Sequence, residues 1–420
     1  PGTVDPGLFS GPAWRRCMSL AMREPPPHYG DPAGSLELRQ ALARWIGRQR
    51  GVVATAEDVV VTSGALHAVD LVARVLLEPG DVVAIEDPGY PPAFELLRSL
   101  GATVVGVPLD EHGLIVEAIP EEARLVYVTP SHQFPLGVVL SHERRVQLLR
   151  WASQHAAAII EDDYDSQFRY DSRPLEPLQR LDRDGRVVYV GTMSKVLSPS
   201  LRIGFAVVPR SIADAVQTMR QMIDWCPPWP TDGALTRFVS EGHLARHVDR
   251  ATRVYRDRHR VVREAVRSLA IPVETLPSTT GLHITLVVDG ELGDDVDRRL
   301  QLAARDGDVR VGSWGRRSPR CRRIASVPPS APSRPCFWPS SPDSIWSDRT
   351  RPEWSWRTGQ PVRTVVPGRR IPTLRRRPGA TPTMTTTSTD HRERLALVQP
   401  LRCRPRRRYD HRLSRREHQV

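Results

Sequence analysis

Residues 157–204 read AAIIEDDYDSQFRYDSRPLEPLQRLDRDGRVVYVGTMSKVLSPSLRIG. Two short apolar runs, Ala157–Ile160 and Val187–Val190, give way at once to functional side chains. The first is followed by Glu161, Asp162, Asp163 and Tyr164, the second by Gly191, Thr192, Met193, Ser194 and Lys195. A third run, Ile203–Val208, comes next. Apolar runs of four to six residues without alternation read as strands buried on both faces. Upstream the rhythm repeats with helical spacing between the runs. Val59–Thr62, Val82–Ile85, Thr103–Val107 and Leu125–Thr129 read as strands. Leu36–Arg50, Ala65–Leu77, Pro92–Leu100 and Glu143–Gln154 read as helices, with Gly51 and Gly101 as stops. Strands alternating with helices predict an α/β fold with a mostly parallel sheet covered on both faces.

Working outward, residues 211–270 read as helical, including a long charged helix, Leu244–Leu269. Val273–Leu276 and Leu282–Val288 read as strands of a smaller, incomplete α+β part. The regular pattern stops near residue 308. The division expected is an arm at 1–30, a large domain at 31–210, connecting helices and a partial small domain at 211–308, and a tail at 309–420. Residues 311–420 hold 15 Pro, 25 Arg and five Trp with no sustained period. Such a composition predicts a segment that is disordered or translated out of frame, since it cannot offset its chain entropy. Trp and Cys within it favour the second reading. On either reading the tail should stay apart from the fold, and an out-of-frame tail would leave Leu282–Val288 as an open sheet edge.

Charge follows the same division. The chain of 420 residues carries a net +12. Residues 311–420 have 25 Arg against seven acidic residues, a surplus of 18, which leaves residues 1–310 at −6. The high pI therefore does not describe the body of the protein and is no argument for nucleic-acid binding. Five scattered cysteines without a CxxC give neither a disulfide framework nor a zinc site, and fit a reducing cytoplasm. No apolar run approaches the roughly 20 residues that cross a bilayer, and there is no charged-then-apolar leader.

Of the 60 basic residues, 59 are Arg and one is Lys, at Lys195. Surface charge can be met by either side chain. Chemistry that needs a neutral primary amine cannot use a guanidinium. In an open parallel sheet, ligands bind at the carboxyl ends of the strands. Those ends carry Ser63-Gly64-Ala65, then Glu86 to Tyr90, Thr129 to Gln133, Glu161 to Tyr164, and Gly191 to Lys195. Ser63, Gly64 and Ala65 offer backbone N–H groups at a helix start, a site for an anion. Thr192 and Ser194 add hydroxyls, and Arg202 a fork suited to phosphate. Lys195 can form an imine with an aldehyde. Asp162, at the end of a buried strand, needs a cationic partner, and a protonated pyridine nitrogen would serve. Tyr164 could hydrogen-bond a phenolic oxygen, and Tyr90 could stack on a flat ring. Phosphate, aldehyde, pyridinium and phenolate together describe pyridoxal 5′-phosphate (PLP).

Taken singly, most of these residues have plainer readings. Gly before a helix is common, Tyr90 could be a packed loop aromatic, and Asp162 or Asp163 a cap or half a salt bridge. Asp163 and Asp165 read as solvated or structural. His28, His67 and His155 read as ordinary surface or packing residues. A metal site from Asp162, Asp163, Asp165 and His132 lacks paired-His spacing, so no metal is expected. The Lys195 segment, flanked by hydroxyls and by Arg202, is the strong element.

Several longer stretches carry a resemblance. They include VTSGALHAVDLVARVLLEPGD, EDPGYPPA, YVTPSHQFPLGVVLSHERRVQLLRWA, IIEDDYDSQFRY, YVGTMSKVLSPSLRIG and EGHLARHVDRATRVYRDR. With them, residues 1–310 resemble class I/II PLP-dependent aminotransferases of fold type I. They look most like the aminotransferase-like domain of the MocR subfamily of GntR-type regulators. The resemblance implies a PLP-dependent transferase-like large domain. It makes Lys195 the internal aldimine lysine, Asp162 the pyridine-nitrogen partner, Tyr164 a neighbour of the phenolic oxygen and Tyr90 the residue on the ring face. Ser63, Gly64, Ala65, Thr192, Ser194 and Arg202 would form the phosphate cup. It also implies a homodimer acting on an amino acid or keto acid.

There are departures. Leu66 stands where the family usually has Gln beside the phosphate loop, and no Arg can be assigned to the substrate carboxylate. Regulators of this type bind DNA through a winged-helix domain, for which these residues offer no sequence. Three readings therefore compete: transamination through Lys195, a PLP- and amino-acid-sensing effector domain, and an inactive remnant.

Overall fold

The computed structural model describes residues 2, 4–26, 28–170, 175–267, 273–276, 280–288, 312–314 and 323–327. The strands of the main sheet are β1 (Val59–Thr62), β2 (Val82–Asp87), β3 (Thr103–Asp110), β4 (Gly113–Leu114), β5 (Ala123–Val128), β6 (Ala158–Asp163), β7 (Val187–Thr192) and β8 (Gly204–Val207). Helices are α1 (Gly11–Ala21), α2 (Leu36–Arg50), α3 (Ala65–Leu76), α4 (Pro91–Ser99), α5 (His142–Gln154), α6 (Leu178–Leu181), α7 (Arg210–Asp224), α8 (Trp229–Ser240) and α9 (His243–Arg267). None of the described helices is long and apolar enough to cross a membrane.

The sheet order is β1-β8-β7-β6-β5-β2-β3-β4. β3, β2, β5, β6 and β7 pair in parallel. β8 is antiparallel to both neighbours, β1 and β7. Its inversion has a local cause. The link from Met193 to Ile203 contains only a 3₁₀ turn, Pro199–Leu201, and a parallel crossover needs a dozen or more residues and usually a helix. Because β8 is inverted, β1 runs parallel to β7. The carboxyl ends of β1, β2, β5, β6 and β7 therefore share one edge, and β8 begins at that same edge.

Both faces of the sheet are covered. One buries Val60, Ile85, Tyr127, Ile160, Val188 and Val190 beneath α3, α4 and α7. The other buries Val61, Tyr189 and Phe205 against α1, α2 and α8, and Val126, Ile159 and Val187 against α5 and α6. The strand ends extend further than apolar runs alone predict. Glu86, Asp87, Glu161, Asp162, Asp163, Gly191 and Thr192 continue their strands, and all but Asp87 are buried. Polar residues at these ends sit inside the sheet, so a hydrophobic reading stops too early. Helix α1 lies within residues read only as an arm.

A second sheet has the order β11-β12-β10-β9, from β9 (Val273–Thr275), β10 (Ile284–Val288), β11 (Gly312–Trp314) and β12 (Arg323–Val327). All its pairs are antiparallel. This corrects two expectations. β10 is not an open edge, because β9 and β12 flank it. Nor does regular structure end at residue 308, because β11 and β12 lie beyond it. Their short runs, Gly312–Trp314 and Arg323–Val327, sit among Arg, Pro and Ser that hide any period. The rest of the expected tail lies outside the described residues.

Candidate active site

The inverted strand assembles one half of the site. Gly204 of β8 is in register with Thr62 of β1 on one side and Thr192 of β7 on the other. The loops after Thr62 and Thr192 thus flank Arg202, which caps its 3₁₀ turn in the left-handed region. The Arg202 guanidinium donates to the Ser63 carbonyl at 2.7 Å. Gly64 is the N-cap of α3 at φ +107°, and a Cβ there would lie 3.0 Å from Arg202 Nη2. Only glycine allows both that backbone and that approach. Thr192 Oγ1 accepts from the Ser194 N–H at 3.1 Å. The start of α3, its dipole and Arg202 together form an anion-binding corner. One expectation changes here. The Ser63 N–H is not open to a ligand, because it donates to His67 Nδ1 at 3.0 Å. Burial, then the Arg220 guanidinium, push the His67 pKa down, which suits a neutral ring that accepts. His67 is therefore part of the loop rather than an ordinary packing residue.

The other half is built on β6, whose alternation sends Asp162 and Asp163 to opposite faces. Asp162 is 4% exposed. Its Oδ2 accepts from the Tyr127 hydroxyl at 2.6 Å, and its Oδ1 is buried without a hydrogen bond. Burial raises its pKa to about 7; the Tyr127 hydrogen bond opposes this, and the charges of Asp163 and Asp165 add to it. Asp163 Oδ2 accepts from Arg50 Nε and from the Tyr189 hydroxyl, both at 2.7 Å. Its Oδ1 also lacks a hydrogen bond. Burial alone would raise the Asp163 pKa, but the Arg50 charge and the hydrogen bonds to Asp163 together outweigh it, and the net direction is down. The difference between the two is a cation. Among the described residues Asp163 has an ion-pair partner and Asp162 has none.

Lys195 follows β7 in the next loop. Burial pushes its amine pKa below the ordinary value, opposed by Asp165 and then Asp162. An amine so shifted is more often neutral and nucleophilic. Tyr164 places its hydroxyl 3.1 Å from His132 Nδ1. Burial, then Asp165 and Asp162, hold the Tyr164 pKa well above its usual value, so it is a protonated phenol. Tyr90 caps α4 and meets Phe134 edge-on, with ring centroids 5.5 Å apart. Burial and Asp162 raise its pKa to about 12 while Arg202 opposes, so Tyr90 stands within electrostatic reach of both halves.

Several residues received no role in the site from sequence. Tyr127 and Arg50 complete the two carboxylates. Glu86 accepts from Thr129 through N–H at 3.1 Å and Oγ1 at 2.6 Å, and burial lifts its pKa to about 7. His132, Asp165 and His283 bring possible ligand atoms within 4.8 Å of one another, a grouping from three segments that no local spacing reveals. The aligned strands LVYV and AIIEDD would have placed Tyr127 beside Asp162, since Tyr127 pairs with Ile160, two residues earlier on the same face. Gly2 also approaches the site, for a Cβ there would lie 3.8 Å from Lys195 Nζ.

The family described as Aminotransferase class I and II matches residues 14–316, and the chain belongs to it. An uncharacterised HTH-type transcriptional regulator of Bacillus subtilis, YhdI, is 36% identical over 290 residues, covering 68% of this chain and 62% of that protein. The probable rhizopine catabolism regulatory protein MocR of Rhizobium meliloti is 38% identical over 265 residues, 62% of this chain and 54% of its own length. An archaeal alanine:glyoxylate aminotransferase superposes with a TM-score of 0.72 at 29% identity, covering 79% of this chain and 85% of that one. The fold is thus that of the PLP-dependent aminotransferases. The chain spans less than two thirds of the length of these regulators.

Proposed function

We propose that this chain binds PLP through Lys195 and processes the amino group of an amino acid at the shared strand edge. The observation that carries this reading is Asp162, a buried carboxylate with an unbonded oxygen and no ion-pair partner among the described residues. Such a group is costly unless a cation completes it, and a pyridinium N–H is a fitting one. The anion corner at the start of α3 fits a phosphate monoester, and the depressed Lys195 amine fits an aldehyde.

When bound, PLP supplies an electron sink for the substrate's α-carbon. The remaining work falls to the chain. The Ser63 hydroxyl with Gly64, Ala65, Thr192, Ser194 and Arg202 would hold the phosphate. Asp162 would keep the ring nitrogen protonated, Tyr90 would cover the ring face, and Tyr164 would donate to the phenolic oxygen. The Lys195 amine would hold the aldehyde carbon and would serve as the general base for the substrate's α-proton. Pairing of two copies belongs to the same reading. Tyr29 and Trp225 stack at 4.6 Å in an exposed position, and Met222, three residues before Trp225, is 75% exposed, apolar surface suited to a second copy.

The test is borohydride reduction with PLP followed by peptide mapping. A pyridoxyl group on Lys195 is expected. A label confined to the N-terminal amine would overturn the reading and favour an inactive remnant. The similarity to HTH-type regulators favours a second output, in which the same site senses an amino acid for a DNA-binding domain. Repeated turnover with an amino acid and a keto acid supports transamination. A single half-reaction without turnover supports sensing.

A further inference from the structure

His132, Tyr164, Asp165 and His283 come from three segments: the loop after β5, the loop after β6, and the residues leading into β10. His132 and Asp165 are 2% and 1% exposed. His132 Nδ1 lies 2.9 Å and 3.1 Å from the two Asp165 oxygens and 3.1 Å from the Tyr164 hydroxyl. Asp165 Oδ2 also accepts the Leu282 N–H at 3.0 Å. A carboxylate only accepts, so Nδ1 carries the hydrogen that Asp165 receives. With that hydrogen on Nδ1, the Tyr164 hydroxyl cannot donate to the same atom. Its oxygen can only share the fork as an acceptor.

We propose that His132 is a positioning residue for Tyr164: its forked Nδ1–H, anchored by Asp165, takes a lone pair of the Tyr164 oxygen and so turns the hydroxyl hydrogen toward the cofactor. The proposal rests on the PLP reading above. The charges acting through space on Tyr164 are Asp165, Asp162, Glu86 and Asp163; Asp165 and Asp162 also act on the Lys195 amine, and His283 faces His132 and Asp165.

His283 holds the arrangement from the other side. Its Nε2 donates to the Pro135 carbonyl at 3.1 Å, because a carbonyl cannot donate in return. Its ring centroid lies 4.6 Å from that of His132. Burial, then His132, depress its pKa to about 3, so a neutral ring packs there and adds no competing charge. The approach also depends on Gly281, at φ +84°, where a Cβ would lie 2.1 Å from His132 Cε1. The Leu282 N–H and the bare Cα of Gly281 thus seat Asp165 and His132 together.

Three substitutions separate positioning from packing. In His132→Asn the amide N–H can occupy the place of Nδ1. His132→Gln carries its donor further out, and His132→Phe has none. All are first scored, with the wild type, for a borohydride label on Lys195. Then the PLP dissociation constant is measured, with the pH midpoint of the visible absorbance change of bound PLP. Tyr164 donation favours negative charge on the phenolic oxygen most when the nitrogen joining Lys195 to PLP is neutral. Its loss should move the midpoint upward. The Gln and Phe variants should bind PLP about tenfold more weakly, as for loss of a hydrogen bond to a charged group. They should also shift the midpoint up by at least about half a unit, while Asn stays close to wild type. An unchanged midpoint in the Gln and Phe variants, with Lys195 still labelled, overturns the proposal and leaves the PLP reading standing. So does an Asn variant as impaired as Phe in both measurements. A wild type without a Lys195 label overturns both.

Discussion

Asp162 and Asp163, adjacent buried carboxylates at the end of β6, lie on its two opposite faces, and the chain treats them differently. On the face shared with Tyr189, Asp163 meets the Arg50 guanidinium, whose Nη2 also donates to Ser131 Oγ at 2.7 Å. On the face shared with Tyr127, Asp162 has a single hydroxyl and no ion-pair partner among the described residues. One carboxylate is held ionised by its surroundings, and the other is pushed toward its neutral form. A group that serves folding is completed by the chain itself. One left short of a cation is where the proposed function places a cationic ligand.

The largest expected effect breaks this contrast at Arg50. Arg50→Ala leaves Asp163 charged and unpaired inside the sheet, at a cost of about 3–5 kcal/mol in urea unfolding of the unligated protein. Asp163→Asn should cost somewhat less, because Asn can still accept from Arg50. Asp162→Asn should change the unligated stability by roughly 1 kcal/mol or less at about pH 4, where an amide replaces a protonated carboxyl, and should become stabilising as pH rises toward 7. Under the proposed function, its larger effect should fall on PLP-dependent chemistry. Equal losses in Arg50→Ala and Asp162→Asn would show that the two faces do not differ as described.

The same contrast explains what could be read without coordinates. Periodicity located α2 at Leu36–Arg50 with its stop at Gly51, and β1 at Val59–Thr62, because those runs are apolar or well capped. Residue type and order also drew Lys195, Asp162 and Arg202 to one edge. Which of two adjacent aspartates lacks a counter-charge was harder. Asp163 read as solvated or structural, and it is structural, yet its partner Arg50 stands 113 residues away at the end of a helix that looked merely amphipathic. Tyr127 was hidden for another reason, since a Tyr in an apolar strand reads as core. His283 became visible only once the second sheet brought it against His132. Local pattern fixes elements, whereas the completion of buried charges depends on which distant elements touch.

The pH dependence sharpens the comparison at somewhat smaller magnitude. The Asp162 carboxyl titrates near 7 when folded, against about 3.9 in an unfolded chain. The folded state keeps a proton that the unfolded state has released, so this stability is full below about pH 4 and is lost as pH rises to 7. The loss is on the order of 4 kcal/mol at most. Asp163, with a depressed pKa, acts in the opposite sense: its contribution is present above about pH 4 and is lost as pH falls further. Measured against Asp162→Asn, the wild type should therefore lose unfolding free energy between about pH 4 and 7, while the opposite contribution of His283, depressed to about 3, is common to both proteins and cancels from the comparison. Glu86, raised to about 7 as well, acts in the same sense as Asp162, so Glu86→Gln should also hold its stability better than the wild type as pH rises. A slope indifferent to Asp162→Asn would mean that the carboxylate is solvated or paired in solution.

The smallest effect is the most discriminating, because it compares two similar bonds. Tyr127 donates to Asp162 at 2.6 Å and Tyr189 donates to Asp163 at 2.7 Å, and both phenols are buried. Tyr189→Phe removes one of two donors from a carboxylate that keeps Arg50. It should cost about 1–1.5 kcal/mol, with little change between about pH 5 and 8, since Asp163 stays ionised throughout. Tyr127→Phe removes the sole described donor from Asp162. In mild acid Asp162 can respond by holding its proton, so the cost should be about 1 kcal/mol or less. As pH rises through the folded pKa, the variant must either ionise Asp162 with no donor or keep a proton that solution draws away. Because the Tyr127 bond lowers that pKa, the variant's decline should extend to higher pH, and its cost should grow to roughly 2 kcal/mol above neutrality. Matched denaturation series of the two variants across this range decide the matter. Parallel curves would mean that both tyrosines merely fill space against equivalent carboxylates. A Tyr127→Phe curve that diverges with pH would place the uncompensated charge on the Asp162 face, where a cationic ligand would be needed to complete it.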